Sequence, residues 1–179
     1  MYLAHWNLRE YPFQNVADPR FAYLSEQHQE ALARLVYVVQ TGKLGAVLTG
    51  TYGVGKSMIL ELLVHHAAVR DSVRVIRFDV PPDGTLELAA SLLSACGITR
   101  PFSTPSAALT ILRETVEKEN PPFPPLVLIL DEAHALRTDL SSFEFLQRLL
   151  NLTRPVRTDA DTRPPVTLIL SGLPELESE

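Results

Sequence analysis

A glycine-rich stretch set between an apolar run and a helix-forming one constrains this chain more than any other feature. Gly50-Thr51-Tyr52-Gly53-Val54-Gly55-Lys56-Ser57 follows the pattern G-x-x-x-x-G-K-S. Before it, Gly45-Ala46-Val47-Leu48-Thr49 is a short apolar run suited to a buried strand. After it, Met58-Ile59-Leu60-Glu61-Leu62-Leu63-Val64 carries helix formers with neither Pro nor Gly. Strand, glycine loop and helix form the context in which this spacing holds phosphate. The glycines let successive backbone N–H groups converge with no side chain in the way. The helix adds the positive end of its dipole. Lys56 is then placed to reach the β- and γ-phosphates, and the Ser57 hydroxyl to join Mg²⁺. Gly50, Thr51, Tyr52, Gly53, Val54, Gly55, Lys56, Ser57 and Met58 are therefore the candidate nucleotide-binding residues.

A second motif points the same way. Leu126-Val127-Leu128-Ile129-Leu130 is continuous, apolar and short, as expected of a strand buried on both faces. It ends in Asp131-Glu132, and acids at the C-terminal end of a parallel strand stand on the rim where open α/β sheets bind ligands. Asp131 is the candidate Mg²⁺ ligand beside Ser57. Glu132, with Lys56, is a candidate catalytic residue, the carboxylate polarising the attacking water. The plainer reading is that both acids simply open the next helix. Paired with the glycine loop, they predict a nucleoside-triphosphate site.

The chain has 179 residues, 46% of them hydrophobic and 21% charged, enough for one α/β domain with a substantial core. A single cysteine, Cys96, excludes an internal disulfide framework, fits a reducing compartment and reads as a core residue. The opening Met1-Tyr2-Leu3-Ala4-His5-Trp6 has no basic region followed by an apolar stretch, and no run approaches a membrane span. A cytoplasmic protein is the expectation. A net charge of −5 argues against a domain whose main surface is a nucleic-acid footprint. Arg137, Arg148, Arg154, Arg157 and Arg163 do concentrate basic charge in the last quarter.

Along the chain, aromatics and turn formers precede a helix opened by Ser25, with Ala31, Leu32, Leu35, Val36 and Val39 on one stripe. The first strand, glycine loop and helix run to about Arg70. A strand at Val73–Phe78 is closed by Asp79. Helices are predicted near Thr85–Cys96, ended by Gly97, and near Ser106–Lys118. Pro121 to Pro125 form a stiff spacer into the Asp131 strand. A helix near Ser141–Leu152 and an arginine- and proline-rich loop lead to the strand Val166–Leu170, which delivers Ser171 to the same rim. The fold class expected is α/β, a P-loop NTPase of three layers, α/β/α, with a mainly parallel sheet and right-handed crossovers. Residues 1–44 read as a linker and helix flanking the base site, and 45–179 as the core.

With these motifs in place the chain resembles an AAA+ ATPase. More narrowly, it is similar to the secretion ATPase family of ExeA (general secretion pathway protein A) and to transposition ATPases of the TniB/TnsC type. Four sets of residues carry the resemblance. Met1-Tyr2-Leu3, Trp6, Leu8-Arg9 and Pro12-Phe13 resemble the family's opening. Asp18 to Ser25 and His28-Gln29-Glu30-Ala31-Leu32 match its next block. The glycine loop and Leu130-Asp131-Glu132-Ala133-His134 match its nucleotide motifs, and Leu170-Ser171-Gly172-Leu173-Pro174-Glu175-Leu176 resembles its "LxGQPEL" stretch. The nucleotide motifs are shared by a very large superfamily, whereas the opening block is far more specific.

The resemblance implies ATP and Mg²⁺ as cofactors. It implies that Pro12-Phe13 and Leu24 to His28 pack beside adenine, although the same residues could simply cover the sheet edge. Ser171 falls near the family's γ-phosphate sensor, a catalytic candidate, with Leu173 standing where the family usually has Gln. Asp79 either orients Glu132 or is a strand-end acid. The family continues into another strand, an arginine finger and a helical lid, so an AAA+ core incomplete at its C-terminus is expected, binding nucleotide and hydrolysing it weakly alone. The partners left open are a homo-oligomer, a secretion or transposition protein, and double-stranded DNA, whose phosphates Arg154, Arg157 and Arg163 could track if they are not merely a solvated loop. The alternative function is a regulatory or scaffold module that binds ATP without turning it over. A helicase reading of Asp131-Glu132-Ala133-His134 fails for want of a second motor domain, and a GTPase reading for want of an Asn-Lys-x-Asp string.

Overall fold

The computed structural model describes residues 2–11, 18–118, 124–152 and 164–177. Its elements in order are α1 (Tyr2–His5), α2 (Glu26–Gln40), β1 (Gly45–Thr49), α3 (Lys56–His65), α4 (Ala67–Arg70), β2 (Arg74–Phe78), α5 (Gly84–Ala95), α6 (Pro105–Lys118), β3 (Leu126–Leu130), α7 (Leu140–Leu152) and β4 (Val166–Gly172). Short 3₁₀ turns lie at Pro19–Phe21, Ala133–Thr138 and Pro174–Glu177.

The four strands form one parallel sheet in the order β1-β4-β3-β2. Every residue of β3 is buried, and its alternation separates two cores. Leu126, Leu128 and Leu130 face a layer built by α5, α6 and α7, with Leu88, Leu92, Leu112, Phe145 and Leu149. Val127 and Ile129 face the opposite layer of α2, α3 and α4, with Leu35, Val39, Leu60, Leu63 and Val69. This is the three-layer α/β/α arrangement expected from a strand apolar at every position. Cys96 is buried in the first core, and its carbonyl accepts from Arg74 Nη1 at 3.2 Å.

One expectation needs correction. The helix after the glycine loop does not run unbroken to Arg70. His66 leaves the helical region at φ −65°, ψ 127°, and its Nδ1 accepts the Ala68 N–H at 3.3 Å, so α3 ends and α4 begins on the same residue. A side chain that supplies a helix start with an acceptor competes with continuing the previous helix. At the other end of the sheet, β4 runs two residues further than the apolar pattern suggests, to Gly172. Gly172 accepts the Gly50 N–H at 3.2 Å, which ties the start of the glycine loop to the neighbouring strand.

Candidate functional site

Three strand ends converge on one rim. β1 runs into the glycine loop, β3 delivers Asp131 and Glu132, and β4 delivers Ser171 between them. Asp131 and Ser171 each stand one residue beyond the paired Leu130 and Leu170, so they lie level on adjacent strands.

The loop is shaped by two glycines in different ways. At Gly50 a Cβ would stand 2.8 Å from Val54 Cγ2, so the chain closes on itself only where no side chain intervenes. At Gly55, which caps α3, φ is +93°, a backbone region that side chains disfavour. Lys56 is 7% exposed, and its Nζ donates to the Gly50 and Thr51 carbonyls at 2.9 and 3.1 Å. These two partners of the buried ammonium are carbonyls within its own loop, so its charge is available to an anion held there.

Ser57, in the first turn of α3, donates its hydroxyl to Asp131 Oδ2 at 2.7 Å, across 74 residues of sequence. The other carboxylate oxygen of Asp131 accepts the Glu132 N–H at 3.0 Å. Asp131 is 2% exposed. A buried carboxylate and a hydroxyl in contact are hard oxygen donors of the kind Mg²⁺ prefers, and such ions usually take only one or two protein ligands. Glu132 itself adopts φ 50°, ψ 34°, one of two non-glycine residues at positive φ among the described residues. Its Oε2 lies 3.3 Å from His134 Nδ1, and the His134 ring stands edge-on to Tyr52 of the loop at 6.4 Å. Ser171 is fully buried and its Oγ has no hydrogen-bond partner among the described residues.

The structure therefore brings Gly50 to Met58, Asp131, Glu132 and Ser171 to one rim. Phe13 and Pro12 lie outside the described residues, as do Arg154, Arg157 and Arg163. Asp79, expected either to orient Glu132 or to be a strand-end acid, forms an ion pair with Arg77, its Oδ1 2.8 Å from Nη2.

Arg77 was missed as a contributor to this site, and His28, expected only to pack beside adenine, makes a contact with the glycine loop that was not anticipated. Arg77, on β2, reaches Glu61 of α3 at 2.7 Å and Asp79 at 2.8 Å, and stands 3.9 Å from Asp131 Oδ2. It supplies a cation next to the buried carboxylate. The available signal was a second arginine, after Arg74, in a five-residue strand whose other positions are apolar. His28, at the start of α2, has its Nε2 2.8 Å from the Val54 carbonyl of the loop. No local pattern reveals a contact between residues 26 positions apart.

A groove of about 500 Å³ opens beside the rim, lined by Val47, His134, Leu140, Phe143, Leu170 and Leu176 among others. Among the described residues no helix is long and apolar enough to cross a membrane, and no group of three or more His, Cys, Asp or Glu gathers as a metal site.

The family model for the AAA domain matches residues 18–178. General secretion pathway protein A from Aeromonas hydrophila is 36% identical over 76 residues, which are 42% of this chain and 14% of that protein. Among solved structures, Cdc6p from Pyrobaculum aerophilum superposes with a TM-score of 0.63 at 17% identity, covering 92% of this chain and 42% of that one. The ORC2 protein of Aeropyrum pernix, solved as ADPNP and ADP complexes, gives 0.59 at 16% identity, with 90% and 44% covered. The chain thus spans a small part of its secretion relative and under half of each structural neighbour. The two structural likenesses bear on the fold alone.

Proposed function

The chain belongs to the AAA domain family as an ATP-binding ATPase core of ExeA-like type, and from that premise we propose that it hydrolyses ATP with Mg²⁺ to drive assembly or remodelling of a partner complex. The observation that carries this reading is the 2.7 Å contact between Ser57 and Asp131, which joins the two nucleotide motifs in space.

In the proposed site, Gly50 to Met58 wrap the phosphates with backbone N–H groups, and Lys56 turns from its loop carbonyls to the β- and γ-phosphates. Ser57 and Asp131 hold Mg²⁺, which when bound neutralises charge on the phosphate oxygens. Glu132 accepts the proton of the attacking water, with His134 beside its carboxylate. Ser171, buried and level with Asp131, offers its hydroxyl to the γ-phosphate. Phe13 and residues 1–44 flank the adenine, and residues 45–179 form the core. The partner is a protein of secretion machinery, a reading supported by the name of the matched relative. A transposition protein acting with double-stranded DNA is the alternative. An arginine contributed by a neighbouring copy raises such rates by about 10³- to 10⁵-fold, so slow turnover is expected of the chain alone.

The test is ATP affinity together with steady-state hydrolysis, for the wild type, Lys56→Ala and Glu132→Gln, with and without double-stranded DNA. Lys56→Ala should weaken ATP binding about tenfold or more. Glu132→Gln should bind ATP as the wild type does while turnover falls about 10²-fold or more. Binding without turnover in the wild type would replace the hydrolase with a nucleotide-gated scaffold. Stimulation by DNA would favour the transposition partner.

A further inference from the structure

The start of α2 and the apex of the glycine loop share one imidazole. The His28 backbone N–H donates to Ser25 Oγ at 3.4 Å, and the Ser25 N–H donates back to His28 Nδ1 at 3.4 Å, a reciprocal cap on the first turn of the helix. On the other side of the ring, Nε2 lies 2.8 Å from the Val54 carbonyl. A carbonyl oxygen can only accept, so Nε2 must carry the hydrogen, while the Ser25 N–H requires Nδ1 to be bare. The two bonds therefore demand the same neutral tautomer, and the cap selects the form that binds the loop.

Val54 precedes Gly55, the residue that opens α3. A trans peptide is planar, and its C=O and N–H point to opposite sides. Drawing the Val54 carbonyl toward α2 therefore turns the Gly55 N–H away from α2. At φ +93° Gly55 carries no side chain to resist rotation of that peptide, so its orientation depends on what holds the carbonyl. A Cβ at Gly55 would stand 3.5 Å from His28 Nε2, an ordinary contact, so the glycine answers to backbone conformation and not to crowding by the ring.

We propose that His28 is a positioning residue for phosphate binding: its Nε2–H fixes the Val54–Gly55 peptide so that the Gly55 amide faces the bound phosphates. The inference rests on the reading of Gly50 to Ser57 as the nucleotide loop, and it assigns the ring to the loop instead of to the adenine.

Two amides separate the two halves of the ring. In His28→Asn the side-chain oxygen stands near the place of Nδ1 and keeps the cap, but cannot reach Val54. In His28→Gln the side-chain nitrogen extends to the place of Nε2 and can donate to the carbonyl. Affinities for ATP and for inorganic tripolyphosphate are measured for both variants and the wild type, together with thermal midpoints. The expected result is a loss of about tenfold for both ligands in His28→Asn at an unchanged midpoint, with near wild-type affinity restored in His28→Gln.

Wild-type affinity in His28→Asn overturns the proposal. So does a loss confined to ATP, which would make the ring a base contact, or a loss in both variants that tracks a lowered midpoint. A wild type that binds neither ligand sinks the loop reading itself, and this inference with it. Should the variants fail to fold, ¹⁵N NMR of the wild-type imidazole decides: protonation at Nε2 with a Gly55 amide resonance that moves on adding tripolyphosphate supports the proposal. Protonation at Nδ1, or an unmoved Gly55 amide, refutes it.

Discussion

Ser171 hides a hydroxyl at the tip of β4 with no hydrogen-bond partner among the described residues. A buried hydroxyl left unpaired costs about 1–3 kcal/mol, so folding alone gives little reason for a serine here. Ser171→Ala is therefore expected to be neutral or up to about 1 kcal/mol more stable in urea denaturation, while ATP turnover falls. A stability loss of several kcal/mol would show instead that the hydroxyl is paired within the fold. Glu132 shows the same signature at its backbone, since φ 50° is unfavourable for a side chain and is tolerated where the site fixes it. The glycine loop, Asp131 and Glu132 could be read from the sequence because their spacing reflects chemistry between near neighbours. The pairing of Arg77 with Glu61 and Asp131, and the bond from His28 to Val54, could not, because those partners lie on elements that only the tertiary fold brings near.

Among the elements, α7 depends on a polar knot at its start. Asp139 accepts the Ser142 N–H at 3.3 Å and the hydroxyls of Ser141 and Ser142, and Thr85 at the start of α5 joins Ser141 at 2.6 Å. The Ser141 hydroxyl first, and the Ser142 hydroxyl second, hold the Asp139 carboxyl below its ordinary 3.8. A carboxyl depressed in the folded state contributes stability above its unfolded value and loses it as pH falls through the lower folded value. Asp139→Ala should therefore be less stable by about 1 kcal/mol at neutral pH. The gap to the wild type should narrow as pH drops below the ordinary aspartate range, followed by thermal melts in a pH series. A gap independent of pH would mean that the carboxylate's charge plays no part. The helices and strands were legible from apolar spacing and caps. The break at His66 was not, because nothing in the helix-forming string marks a histidine that caps its own successor.

For the molecule as a whole, β3 is the shared wall of both cores. Leu128 is fully buried at its centre, and Leu128→Ala should cost about 2–5 kcal/mol, read from urea denaturation midpoints. A cost below about 1 kcal/mol would mean that the two layers repack independently of the strand. The sheet order carries a consequence in time. β4 is the last of the described strands along the chain, yet it lies between β1 and β3 and accepts the first amide of the glycine loop through Gly172. Contacts between such distant residues form late, after the entropy of closing the chain has been met. During synthesis the phosphate loop therefore emerges early and waits. The rim closes only once β4 has inserted between its neighbours, so the capacity to grip nucleotide is acquired late and reports that the four described strands have come together.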